Sequence, residues 1–463
     1  MLGTTMIENN FQRVSTATIG HHRGSPRVYI EGDYLLRAGF EPTRLIEARF
    51  RQGRVTLRLS ENGNRRVSQK GKGRPVIDIN SRVLRDAFGD VQTLQIVVRS
   101  GEIILTPLRS EQRRATRCRN GKEGSLFSGG GLFTKAAQLA GFKPGFAVEL
   151  NPDYAETYER NFPEALMFNM SIADVPVDQL PQVELLTIGI PCELFSNIRT
   201  VTRGTGKKRD RSQVPEAQHI DADLTMWAAL IIERVNPATV IIEEAKEWIA
   251  TGAGWMMRYF LQRLGYHVEA RVIDAVEFGE LMHRRRTVMI ATSDGEINWP
   301  LASRSSRRLG DIFDTPEEVA GAWFDAKSKA WLFEHFRKQA AKGNGFEAVK
   351  VTAESESVKA ITKRYLAGQG DGTLIAHETK PGVFRWFSLG EIRRLFGVPQ
   401  DFILPEAKTR AGEVLGQGVI VTLFKNIIEC ATGRAKGVQA DAEQLRDVDE
   451  PAAGQMSLAY FAA

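Results

Sequence analysis

The chain has 463 residues, 25% of them charged and 42% in the broad hydrophobic class, the balance of ordinary globular domains and not of a disordered or collagen-like chain. Lysines and arginines number 62 against 56 acids, a formal charge of +6 that favours a polyanionic partner without establishing one. Three cysteines (Cys118, Cys192, Cys430) are too few and scattered for a disulfide framework or a zinc knuckle, and neither an 18-residue apolar run nor a basic-then-apolar leader is present, so no membrane contact, no metal and a cytoplasmic location are expected.

At roughly 150 residues per domain, the length predicts about three folded units. Residues 1–25 are expected to be a flexible N-terminus. Residues 26–108 read as β-rich and contain an imperfect duplication. Val28-Tyr-Ile-Glu-Gly-Asp-Tyr-Leu-Leu-Arg-Ala-Gly-Phe40 is followed by Ala48, Phe50, Gly53, Val55 and Leu57. About 48 residues later, Val76-Ile-Asp-Ile-Asn-Ser-Arg-Val-Leu-Arg-Asp-Ala-Phe88 is followed by Ile96, Val98, Gly101, Ile103 and Leu105. Each copy predicts a strand, a helical turn or two, and two alternating strands around a glycine turn. A unit this small cannot bury its own apolar face, so the copies are expected to interlock. The pattern resembles the swapped-hairpin barrels of AbrB-like and SymE-like proteins, which bind DNA or mediate dimers. A small β-domain used only for packing is the plain alternative.

Residues 109–122 form a basic linker, with Arg109, Arg113, Arg114, Arg117, Arg119 and Lys122 against Glu111 alone. It serves as a solvated connector or as a phosphate contact. From Gly124 onward strands alternate with helices. Strands are predicted near 146–150, 166–168, 185–190, 239–242, 268–273 and 287–291, with helices near 133–139, 152–161, 223–235 and 255–264. Short apolar runs that do not alternate suit strands covered on both faces, so the fold class is α/β with a doubly wound, mostly parallel, Rossmann-like sheet.

Ligands of such sheets bind beyond the carboxyl ends of the strands. Four segments there carry unusual residues. Phe127-Ser-Gly-Gly-Gly131 opens a helix and lets backbone approach a ligand, although Thr134 stands where a dinucleotide fingerprint has its third glycine. Glu149 follows about 20 positions later, as ribose-binding acids do. Cys192, in Pro191-Cys-Glu-Leu-Phe-Ser196, is a candidate nucleophile, with a buried structural thiol as the alternative. Glu243 and Glu244 end another apolar run, where a carboxyl of raised pKa can donate a proton. His283-Arg-Arg-Arg286 adds a basic cluster before the last strand.

In this order the segments resemble the cytosine-5 DNA methyltransferases. The family's D-x-F-x-G-x-G-G aligns with Ser125-Leu-Phe-Ser-Gly-Gly-Gly-Leu132, with Ser125 in place of the acid and Leu132 in place of the last glycine. P-C-Q-x-F-S aligns with Pro191 to Ser196, with Glu193 for the glutamine. E-N-V aligns with Glu243-Glu-Ala245, and Q-x-R-x-R with Met282-His-Arg-Arg-Arg286. Arg385-Trp-Phe-Ser-Leu-Gly-Glu391 and Leu415-Gly-Gln417-Gly-Val419 stand for the two C-terminal motifs. The resemblance spans about 124–432. The Leu-Gly-Gln-Gly ending looks more like phage or mobile-element members.

The resemblance implies that Phe127, Ser128, Gly129, Gly131, Glu149, Asn151, Ser171, Ile172, Pro191, Gln417 and Val419 hold S-adenosylmethionine. It implies Cys192, Glu243, Arg284 and Arg286 as the catalytic set, acting on a cytosine flipped out of double-stranded DNA. The basic loop after Cys192 (Ser196, Arg199, Arg203, Lys207, Lys208, Arg209), together with Arg304 and Arg307, is assigned to the nucleic acid. The implied domains are a catalytic domain at 123–294, a target-recognition region at 295–384, a second catalytic part at 385–435 and an acidic tail at 436–463. A homodimer through the N-terminal domain is a further expectation. Rival readings are an RNA cytosine-5 methyltransferase, a DNA-binding regulator built on an altered enzyme, and an enzyme that takes a modified donor.

Overall fold

The computed structural model describes residues 11–71, 73–191, 223–341, 349–367 and 373–435. Two compact units divide at residue 116.

The N-terminal unit holds β1 (Gln12–Thr18), β2 (Gly20–His22), β3 (Ser25–Glu31), α1 (Tyr34–Arg37), β4 (Leu45–Arg51), β5 (Arg54–Leu59), β6 (Arg65–Arg66), β7 (Ser68–Lys70), β8 (Arg74–Asn80), α2 (Val83–Phe88), β9 (Thr93–Arg99), β10 (Glu102–Pro107) and α3 (Arg109–Ala115). The sheets run β1-β9-β10-β5-β4-β6 and β2-β3-β8-β7. Equivalent strands of the two copies pair with each other, β3 with β8 and β5 with β10, both antiparallel. Each hairpin tip also docks on the other copy's helix. Gly53 N donates to Ala87 O and Gly101 N to Ala38 O, both at 2.8 Å. Inward residues of the two hairpins (Ile46, Val55, Leu57, Ile96, Val98, Ile103) then close one shared core with Leu35, Phe40 and Phe88.

Two expectations change here. Residues 12–22 are not a loose terminus, because β1 pairs with β9 over seven register positions from Gln12↔Arg99 to Thr18↔Thr93. The strand lies at a sheet edge and is mostly exposed, so it lacks the apolar alternation that flags a half-buried strand, while Val14, Thr16 and Thr18 supply β-branched side chains. The 109–122 segment is not a free linker either. α3 occupies its first half. Arg117 lies 3.6 Å over the Tyr266 ring and donates to Leu264 O at 2.7 Å, and Arg119 pairs with Asp294, so the catalytic unit begins at 117.

The second unit opens with β11 (Lys122–Leu126), α4 (Leu132–Leu139), β12 (Lys143–Val148), α5 (Pro152–Asn161), β13 (Leu166–Phe168), β14 (Leu185–Gly189), α6 (Leu224–Val235), β15 (Thr239–Ala245), α7 (Gly252–Arg263), β16 (His267–Asp274) and β17 (Arg285–Thr292). The seven-stranded order is β13-β12-β11-β14-β15-β17-β16. Neighbours from β13 to β15 are parallel, and β17 runs antiparallel to both β15 and β16. The sequence reverses its march between β11 and β14, the switch point at which such sheets bind ligands. Apolar residues cover both faces and form two cores, a first with Ile241, Val288 and Ile290 and a second with Val240, Ile242 and Met289.

The remainder comprises α8 (Pro316–Val319), β18 (Phe324–Asp325), α9 (Ala330–Ala341), β19 (Val349–Val351), β20 (Thr373–Ala376), β21 (Val383–Arg385), α10 (Leu389–Leu395), α11 (Lys408–Gln417) and α12 (Val421–Ala431). The four strands form a small sheet, β18-β21-β20-β19, over Leu332, Phe336, Leu374 and Phe384. The run Lys408–Ala431 is long and apolar enough to cross a membrane, but it is two helices broken after Gln417 whose buried faces pack in the first core. The acidic tail at 436–463 lies outside the described residues.

Candidate functional site

The site is built at the carboxyl ends of β11, β12, β14 and β15. After β11 the chain turns through Phe127, Gly129 and Gly131, with φ of 54°, 54° and 94°. Left-handed backbone at Phe127 is strained for a non-glycine residue. The glycines are required by their neighbours as well. A Cβ on Gly130 would fall 2.6 Å from Val414 Cγ1, and one on Gly131 would fall 2.5 Å from Phe162 Cε2. The turn is therefore pressed between α5 and α11.

Glu149, just past β12, takes two backbone donors. Gly129 N donates to Oε2 at 2.8 Å and Asn151 N to Oε1 at 2.7 Å. Burial raises its pKa, and these N–H groups act against that rise. Asn151 caps α5 by accepting from Asp153 N. One turn later, Tyr154 hydrogen-bonds Gln417, and burial with the nearby acids Glu413, Glu149 and Asp153 pushes its phenol up to about 12. Gln417 Nε2 also stands 3.5 Å from the place a Cβ on Gly129 would occupy. So Phe127, Gly129, Glu149, Asn151 and Gln417 converge from three distant parts of the chain. Tyr154 and Asn169, which donates to Glu149 O at 2.8 Å, join them and carried no motif signal.

Ser171 starts a short 3₁₀ turn beyond β13, its Oγ accepting from Ala173 N. Ile172 is buried in the second core with Val175 and Leu180, and Val419 is buried in the first. Ser128 Oγ is buried and has no hydrogen-bond partner among the described residues. An unmet hydroxyl beside a glycine turn and a half-committed carboxylate suits a ligand that brings its own polar atoms, as an adenosyl amino acid does.

The second half of the site lies on β15 and β17. Glu243 pairs in register with Gly189 of β14, and its Oε1 lies 2.7 Å from Arg286 Nε. It is 7% exposed. Glu244 points to the opposite face, 1% exposed, and burial pushes its pKa well above the carboxylate range. Arg284 is buried and donates to Gly418 O at 2.7 Å and Gly416 O at 3.3 Å, across the segment that carries Gln417. Asp274 anchors the same corner, accepting from Arg284 N at 3.0 Å and contacting His283 Nδ1 at 3.0 Å, while His283 Nε2 lies 3.1 Å from Ser357 Oγ. Arg304 and Arg307 are exposed. Pro191 ends the described stretch. Cys192, Ser196, Arg199, Arg203, Lys207, Lys208 and Arg209 lie outside the described residues.

The sequence model of the C-5 cytosine-specific DNA methylase family matches residues 122–432. The chain is 26% identical over 315 residues to the Type II methyltransferase M.DsaV of Dactylococcopsis salina, covering 66% of this chain and 84% of that one. It is 23% identical over 317 residues to the Type II methyltransferase M.Bsp6I of a Bacillus species, covering 66% and 96%. Among solved structures, the Dnmt2 methyltransferase of S. pombe superposes with a TM-score of 0.52 at 17% identity, over 68% of this chain and 98% of that one. That likeness speaks to the fold, a Rossmann-like α/β sheet.

Proposed function

The chain belongs to the C-5 cytosine-specific DNA methylase family and is an S-adenosylmethionine-dependent DNA (cytosine-5) methyltransferase, and from that premise we propose how its residues divide the work. The glycine turn, Ser128, Glu149, Asn151, Ser171, Pro191 and Gln417 hold the donor, with Tyr154 fixing Gln417. S-adenosylmethionine supplies an electrophilic methyl on a sulfonium. The Cys192 thiolate adds to carbon 6 of a flipped cytosine while Glu243 gives a proton to N3, which makes carbon 5 nucleophilic toward that methyl. Loss of the carbon-5 proton then expels the thiolate and restores the ring. Arg286 orients Glu243, and Arg284 acts as a positioning residue for the Gln417 segment.

The observation that carries this division is strand pairing. The β14–β15 register sets Glu243 beside Gly189, three residues before Cys192 in the chain, and Arg286 meets the carboxylate from β17. The segment 295–384 is read as the target-recognition region, with Arg304 and Arg307 and the basic loop after Cys192 contacting phosphates. The N-terminal unit is read as AbrB-like, serving DNA binding or dimer formation, and the enzyme as cytoplasmic. Incubation of duplex DNA with labelled S-adenosylmethionine tests the core of this reading. Cys192→Ala should abolish product and the covalent adduct with 5-fluorocytosine DNA, and Glu243→Gln should slow both steeply, whereas equal product from wild type and Cys192→Ala would overturn the assigned nucleophile.

A further inference from the structure

The N-terminal unit contains its own control, because one scaffold is built twice. Aligning the hairpin glycines Gly53 and Gly101 places outward positions in register: Glu47, Arg49, Arg51, Arg54, Thr56 and Arg58 on β4–β5, against Gln95, Val97, Arg99, Glu102, Ile104 and Thr106 on β9–β10. Both hairpins close the same way and dock on a helix end through the same glycine N–H. The first nevertheless carries four arginines and one acid, and the second one arginine and one acid. Folding does not ask for that charge, since the second copy adopts the hairpin without it.

At the hairpin ends the difference is sharpest. In the second copy Arg99 faces Glu102 across the strands, an opposite-charge pair; in the first, Arg51 faces Arg54. Like charges directly opposite destabilise a hairpin. Both are exposed and neither has an acid within ion-pair distance among the described residues. Arg49 and Arg58 do have acids, Glu47 at 2.9 Å and Glu102 at 2.7 Å, but at 57% and 58% exposure these pairs are weak and exchangeable. Arg66 of β6 adds an exposed cation at the neighbouring edge. Across residues 11–108 the unit holds 17 lysines and arginines against 9 acids, an excess larger than the +6 of the entire chain.

We propose that the outer face of the β4–β5 hairpin, centred on Arg51 and Arg54, is a second DNA contact that grips the phosphate backbone of the duplex without reading its sequence. Alternate strand residues lie about 6.8 Å apart on one face, so the arginines form a short cationic row suited to successive backbone phosphates. The unit is covalently joined to a domain that acts on DNA, so each contact raises the local concentration of the other's site and improves DNA capture without entering the methyl-transfer step.

The test uses the full chain and a 30-base-pair duplex, with affinity measured between 50 and 300 mM salt. Arg51→Glu/Arg54→Glu should make the slope of log K against log salt shallower by about 2, and raise KM for DNA about tenfold near 100 mM salt, while kcat at saturating DNA stays unchanged. Arg51→Gln/Arg54→Gln should show the same direction with a smaller KM change, and unchanged thermal melting would establish that the fold survives. Arg99→Gln, the position equivalent to Arg51 in the second copy, keeps Glu102 on Arg58 and should leave slope and KM near wild-type values. An unaltered slope in both Arg51/Arg54 variants would overturn the proposal. So would an equal effect from the second-copy control, or a loss confined to single-stranded RNA with duplex binding intact.

Discussion

Arg284 and Gly418 join two parts of the chain more than 130 residues apart: the guanidinium Nη2 on one side of the catalytic sheet donates to the Gly418 carbonyl at 2.7 Å. The same side chain reaches Gly416 O, so it holds both ends of the residue pair that brackets Gln417. A buried guanidinium with its planar fork on two carbonyls fixes a segment in a way one ammonium cannot.

Arg284→Lys should therefore raise KM for S-adenosylmethionine more than it lowers kcat, with kcat/KM for the donor falling on the order of 10- to 100-fold through misplacement of Gln417. Arg284→Ala should do the same and also lower the denaturation midpoint, because the buried Gly416 carbonyl and the partly buried Gly418 carbonyl lose their donor, at about 1–3 kcal/mol for a fully buried one. Steady-state kinetics in donor at saturating DNA check the split. An equal fall in kcat with unchanged KM would place Arg284 at the reacting base instead.

Glu243→Gln should lower kcat by about 10²- to 10⁴-fold, the usual yield of a positioned general acid, with duplex affinity within a few-fold of wild type. Arg286 would then lose its anionic partner at 2.7 Å, so Glu243→Asp, which keeps the charge and moves it back by one methylene, separates orientation from proton donation. Single-turnover rates for the two variants make the comparison.

Glu123 shows why part of this architecture stayed out of reach of the sequence. The doubly wound sheet was legible because β14 and β15 open as short apolar runs that do not alternate, and such runs have few other homes than a sheet covered on both faces. Glu149 and the glycine turn were legible because their spacing of about 20 residues is set by one βαβ unit. Tyr154 meets Gln417 across more than 260 residues, and no local spacing encodes that meeting. Edge strand β1 pairs through its backbone with mostly exposed side chains, so it left no apolar alternation to read. Glu123 sits two residues before Ser125, which takes the acid's place in the family motif, and on the same face of β11. Its Oε1 accepts from Thr187 at 2.6 Å and from Thr134 at 3.2 Å, joining β14 to α4, while Ser125 Oγ lies 3.1 Å from Thr187 Oγ1. Lys122-Glu-Gly-Ser-Leu126 has no apolar run, so nothing in the local pattern marked Glu123 as buried inside a strand.

A pH dependence follows from that carboxyl. Burial raises it from an ordinary 4.5 to about 7, with the Thr187 and Thr134 hydroxyls acting the other way. Between these values the folded protein keeps a proton that the unfolded chain has released, so stability is fully present below pH 4.5 and declines as pH rises toward 7. The decline amounts to roughly 3 kcal/mol for a shift of this size. Glu123→Gln keeps the shape and removes the titration, so its urea midpoint should gain on wild type steadily from pH 5 to pH 7.5. Parallel midpoint curves for the two proteins would exclude the carboxyl as the titrating group.

The pair Arg385–Glu391 offers the largest stability effect. Both side chains are within 2% of full burial and meet in a fork, Nη1 to Oε2 at 2.7 Å and Nη2 to Oε1 at 2.8 Å. Glu391 also accepts from Ser388 N and Asp314 N, so one carboxylate closes the capping box of α10 and ties it to the turn after residue 313. Removing one partner strands a buried charge, and Glu391→Gln should cost about 3–5 kcal/mol. Arg385→Met leaves the carboxylate two backbone donors, Ser388 N and Asp314 N, so it should cost less, and the double variant Arg385→Met/Glu391→Gln should recover part of the Glu391→Gln loss. Thermal denaturation of the four proteins gives the coupling directly. If the double variant is as unstable as the sum of the singles, the two groups stabilise α10 independently and the fork contributes nothing of its own.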